Sequence, residues 1–172
     1  MYILNNLNIF QCKIENILLC SSKMELVQSQ KYGKKQGFGM SIHNHTDGVP
    51  IPSIEDIFNF GMTKQDYGVI TAENSKTYTV TKINNPKFNK MTSNIYETYS
   101  ETFERFYNDK VIYSDYGRKI LNNPSISITE KKRLLNKELD NIIKNNPEKI
   151  VKEFNNSLNI YGINIKIYIN RC

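Results

Sequence analysis

Residues 40–56, MSIHNHTDGVPIPSIED, decide how the rest of the chain is read. MSIHNH reads as a strand. TDGVPIP carries Asp47-Gly48 and two prolines, which mark a loop, and Ser53 stands at the N-cap of a helix with Glu55 and Asp56 in its first turn. A short, proline-stiffened loop can bring that first helical turn back to the strand end. The only two histidines of the chain, His43 and His45, lie two residues apart on the strand. Residues i and i+2 of a strand point to the same face, so both imidazoles can aim at one point. They are either a pair of metal ligands or two polar residues on an exposed strand end.

Asp56 has two readings as well. Ser-x-x-acid at a helix start is an ordinary capping arrangement, and the same carboxylate can be a third ligand. Either one fixes the acid near the helix N-terminus. Two imidazoles and one carboxylate make a three-ligand zinc set whose fourth position is open to water, which is the pattern of a site that performs chemistry.

Outward from this stretch, residues 8–20 and 24–30 read as two strands of a hairpin joined at Ser21-Ser22-Lys23, and residues 31–39 as a Gly- and Lys-rich loop. Downstream, residues 53–62 are expected to form a helix. GVITAEN (68–74) and KTYTVTKI (76–83) are two β-rich runs separated by Asn74-Ser75. After Asn84-Asn85-Pro86 the character changes. Residues 91–108, 129–145 and 147–160 have helical apolar spacing, with Pro147 placed at a first turn. Gly162 is a C-terminal stop, and INIKIYI (163–169) alternates as a closing strand. The expectation is one mixed α/β (α+β) domain over 1–172. Residues 1–85 form its metal-site core, and 86–172 form a helical elaboration whose last strand returns to the sheet.

A chain of 172 residues buries a core without staples, so a bound metal is expected to serve chemistry rather than folding. Hydrophobic residues at 39% and charged residues at 23% describe a globular rather than a disordered chain. The net charge of +6, from 23 basic and 17 acidic residues, is scattered through Asn-rich stretches. It therefore reads as a solvated surface, and nucleic acid is not the expected partner. The eleven tyrosines fall at helix and strand positions suited to packing, which weakens a base-stacking role. Cys12, Cys20 and Cys172 make an odd count with no CxxC pair, which fits a reducing compartment; Cys12 and Cys20 sit in apolar runs as small hydrophobes. No apolar run is long enough to span a membrane, and Met1 to Phe10 lacks the basic start of a signal peptide. A cytoplasmic protein is expected.

The fourteen residues from His43 to Asp56, HNHTDGVPIPSIED, resemble the signature of JAMM (JAB/MPN) metalloproteases, H-x-H-P followed by S-x-x-D. The RadC-type form, HNHP-x-G-x-P-x-P-S-x-x-D, is the most similar, and Thr46 stands where that family usually has Pro. The helix and hairpin up to Ile83 are similar to the segment after this signature in JAB-like domains of prophage and mobile-element proteins. The resemblance implies a cytidine-deaminase-like fold with a mixed sheet and flanking helices. It also implies zinc held by His43, His45 and Asp56, with Ser53 beside the metal helping to stabilise an oxyanion. A general acid/base glutamate upstream belongs to the same pattern. Glu15, a charge set among apolar residues in KIENILLC, is preferred over Glu25, which sits near a turn.

The implied reaction is hydrolysis of a peptide or isopeptide bond in a protein or peptide substrate, a ubiquitin-like tail being one form of it. The metal would bring the pKa of water toward about 7. Glu15 would take a proton from that water and pass it to the leaving amine. The alternatives are a non-catalytic JAMM-like or RadC-like binding module of a phage or mobile-element complex, and a different zinc hydrolase such as a nuclease or deaminase. Against a deaminase, the chain has no P-C-x-x-C segment and no H-x-E pairing. Asp47 also neighbours His45, but Asp-Gly is a turn pair and turn chemistry accounts for it.

Overall fold

The computed structural model describes residues 40–63, 65, 67–73 and 75–169. The expected hairpin over 8–30, the loop 31–39, and both glutamates proposed as general acid/base, Glu15 and Glu25, lie outside the described residues. So do Asn74 and the three cysteines.

The first element is β1 (Met40–His45), which runs through the loop 46–52 into α1 (Ile54–Met62) and on to β2 (Tyr67–Ala72). β3 (Thr77–Ile83) follows after a short turn. The second half supplies α2 (Thr92–Tyr107), α3 (Asp115–Leu121), α4 (Ile128–Asn145), α5 (Pro147–Leu158) and β4 (Ile163–Ile169). The architecture is mixed α/β: five α-helices and a four-stranded mixed sheet among the described residues, in the order β1-β2-β3-β4. β1 and β2 are parallel, with His43 beside Ile70 and His45 beside Ala72. β2–β3 and β3–β4 are antiparallel. The closing strand pairs with β3 from Thr77–Ile169 to Ile83–Ile163, so the tail does return to the sheet.

Strand alternation and this register put Ser41, His43 and His45 on the same sheet face as Ile70, Thr79, Thr81, Ile163 and Ile165. The core lies here. Ile57 of α1 and Ile150, Phe154 and Leu158 of α5 are wholly buried in it, together with Ile163 and Ile165 of β4. The four-residue apolar spacing of α5 (Ile150, Phe154, Leu158) places all three side chains on one helix face, which is why that helix docks. At Gly162 the backbone turns left-handed, with φ 70°, and a Cβ there would come within 2.4 Å of the Asn84 carbonyl oxygen. Only glycine admits both the turn and the close approach.

The region between residues 108 and 128 departs from the sequence expectation of three helices after Asn84. α2 ends in one π-helical turn (Asn108–Ile112), and α3 follows at once. Ser114 caps α3 by accepting a hydrogen bond from the Gly117 amide at 3.0 Å. A seven-residue helix with one buried glycine has too little apolar periodicity to be seen by spacing. Its Ser-Asp start was the local signal that could have found it.

Candidate metal centre

The carboxyl end of β1 and the amino end of α1 meet beside the neighbouring parallel strand β2, the kind of place where α/β sheets hold ligands. His43 and His45 project from the same face of β1, with ring centroids 5.0 Å apart and planes at 88°. Asp56 reaches both. His43 Nδ1 lies 2.8 Å from Asp56 Oδ1, and His45 Nε2 lies 3.1 Å from Asp56 Oδ2. One ligand atom from each of the three falls within 4.8 Å of the others, so the group can hold a metal ion. Tetrahedral ligands with metal bonds of ~2.0–2.1 Å sit roughly 3.3 Å apart, so the two contacts, at 2.8 and 3.1 Å, are ion-pair distances that a bound ion would widen slightly.

The capping and ligand readings of Asp56 turn out to be compatible. α1 has a complete capping box: the Asp56 amide donates to Ser53 Oγ at 3.1 Å, and the Ser53 amide donates to Asp56 Oδ2 at 2.8 Å. Ser53 Oγ also donates its hydroxyl hydrogen to Oδ2, at 2.8 Å. The bonds from Ser53 converge on Oδ2, which also faces His45, whereas Oδ1 faces His43. The sequence that starts the helix therefore also aims the carboxylate.

His45 is oriented from behind. Its Nδ1 lies 2.9 Å from the Val49 carbonyl oxygen, which can only accept, so Nδ1 carries the hydrogen. In a neutral ring Nε2 is then a lone pair, and it faces Asp56 Oδ2 at 3.1 Å, acceptor against acceptor. That approach requires something positive between the atoms, either a second proton on the ring or a cation. A backbone carbonyl holding the far nitrogen of a histidine is the ordinary outer support of a metal ligand. The residues present thus fit a cation.

The electrostatics agree. The hydrogen bond with Asp56 is the largest influence on His45 and raises its pKa above the ordinary value, against the opposing effect of burial. For Asp56 burial is the largest influence and opposes ionisation, but hydrogen bonds from His45 and Ser53 outweigh it and lower the pKa. The Asp56 side chain is 3% exposed and the His43 side chain 46%, so the group has a buried acid and an open outer edge. Asp47 does not join the set. Its Oδ1 accepts the Val49 amide at 2.9 Å, and Gly48 follows with φ 78°, which is turn chemistry. The outer support from Val49 is a backbone carbonyl and has no signature in sequence.

No family model, no curated protein and no solved structure matches the chain significantly. Within the described residues no helix is long and apolar enough to cross a membrane.

Proposed function

We propose that the protein is a zinc-dependent hydrolase of JAMM type, with a cytidine-deaminase-like fold, that cleaves peptide or isopeptide bonds in the cytoplasm. The observation that carries this reading is the convergence of His43, His45 and Asp56, with His45 turned so that Nε2 meets the carboxylate while Val49 holds Nδ1. Zinc bound there supplies Lewis acidity and an acidified water. The chain's own residues do the rest. Val49 holds the His45 ring, and the Ser53 amide and hydroxyl aim Asp56. The outer edge of His43 is open to solvent. Glu15 takes a proton from the attacking water and returns it to the leaving amine.

The test has two stages. Metal analysis of the purified protein is expected to find one zinc per chain, lost in His43→Ala. Turnover is then measured on quenched fluorescent peptides and on isopeptide-linked ubiquitin-like chains, with Glu15→Gln expected to keep zinc and lose activity. Protein that takes up no zinc at stoichiometric level sinks the reading.

One observation favours a second reading, a metal-bound JAMM-like binding module without turnover. The single hydroxyl hydrogen of Ser53 is already donated to Asp56, so stabilising an oxyanion would break the bond that aims the ligand. A module of this kind keeps its zinc, and its unaltered form is as inert as Glu15→Gln.

A further inference from the structure

The loop 46–52 places two groups that orient the proposed ligands: the Val49 carbonyl behind His45, and Ser53 beside Asp56. Its internal hydrogen bonds are few. Gly48 N donates to His45 O at 3.4 Å, and Val49 N donates to Asp47 Oδ1 at 2.9 Å. Pro50 and Pro52 have no amide hydrogen, so the second half of the loop cannot be anchored through their nitrogens. Burial of Pro50, Ile51 and Pro52 packs this half against the core, and its polar tie comes from elsewhere. Tyr99 of α2 donates its hydroxyl to the Pro52 carbonyl oxygen at 3.1 Å, across 47 residues of chain.

Tyr99 is itself well fixed. Its ring stacks on Phe154 of α5, with centroids 4.5 Å apart and planes at 14°, and parallel to Phe103 at 6.4 Å. Burial first, and then the nearby charges of Asp56 and Glu55, push its hydroxyl above the ordinary tyrosine value, so it stays a donor. The hydroxyl thus meets the loop between Val49 and Ser53, the two groups on which ligand orientation depends.

We infer that Tyr99 is a positioning residue of the metal centre, linking the helical half of the chain to the loop that orients His45 and Asp56. This inference rests on the metal-centre reading above. Removing the hydroxyl leaves the carbonyl of buried Pro52 without its partner, a cost that the loop relieves only by shifting. The ligands then lose their outer support, and loss of such support typically lowers metal affinity about 10–100-fold.

Tyr99→Phe keeps the ring stack and deletes only the donor. Tyr161→Phe is the matched control, because it also deletes one tyrosine hydroxyl contact to α2, that with Thr98 at 3.1 Å, without touching the loop. Zinc affinity is measured by chelator competition on the full chain. Tyr99→Phe is expected to bind zinc at least about tenfold more weakly, and Tyr161→Phe to bind as the unaltered protein does. The visible absorption of the cobalt-substituted protein should shift in Tyr99→Phe alone. Equal zinc affinity in Tyr99→Phe and the unaltered protein overturns the inference, as does an equal loss in both variants. An unaltered protein that binds no zinc overturns the metal-centre reading itself and this inference with it.

Discussion

His45 has both ring nitrogens engaged, one by the Val49 carbonyl and one by Asp56, and this gives the metal-free protein a distinctive pH dependence. Its folded pKa is raised above the ordinary 6.5. The contribution of the protonated ring is therefore complete below about 6.5 and is lost as pH rises through the higher folded value. Asp56 is lowered below its ordinary 3.8, so its contribution is present above about 3.8 and is lost as pH falls through the lower folded value. Melting temperatures of chelator-treated protein are expected to peak between about pH 4 and 6.5 and to decline on the alkaline side. Saturating zinc should remove the alkaline decline, because a cation then occupies the place of the second proton. A metal-free melting profile that is flat from pH 5 to 9 would falsify the proposed coupling.

Among the elements, β3 carries an uncompensated burial. Thr79 and Thr81 are fully buried on the core face, and neither hydroxyl has a hydrogen-bond partner among the described residues. A buried hydroxyl left unpaired costs about 1–3 kcal/mol, and valine fills nearly the same space without it. Thr81→Val is accordingly expected to raise stability by about 1 kcal/mol in urea denaturation, with zinc affinity unchanged. A loss of stability would mean that the hydroxyl has a partner. α1 is the opposite case, because one short sequence, Ser53 to Asp56, both starts the helix and delivers a carboxylate to the group that could hold a metal ion.

At the scale of the whole molecule, the helical half holds the site together from a distance. Phe154 is fully buried, stacks under Tyr99, and lies in the same core as Ile57 of α1 and Ile163 and Ile165 of β4. Phe154→Ala should cost ~3–5 kcal/mol of stability and lower zinc affinity too, since Tyr99 loses its seat. Residues 1–85 expressed alone would lack both β4, the antiparallel neighbour of β3, and α5. That fragment is expected to show no cooperative thermal unfolding by circular dichroism. A fragment that melts cooperatively and binds zinc like the full chain would show that the helical half is dispensable to the site.

Legible in the sequence were the features that neighbouring residues settle among themselves. The period-2 placement of His43 and His45, the Asp47-Gly48 turn and the Ser53 cap act over a few bonds, so the meeting of strand end, loop and helix start was legible before any coordinates. Gly162 was legible for the same reason, because a left-handed turn demands it locally. Which oxygen of Asp56 meets which histidine, the carbonyl behind His45 and the hydroxyl of Tyr99 on Pro52 were decided only in three dimensions. So were the strand order and the π turn leading into α3. Backbone carbonyls look alike in every sequence, and contacts across 47 residues arise from packing, which no local spacing encodes.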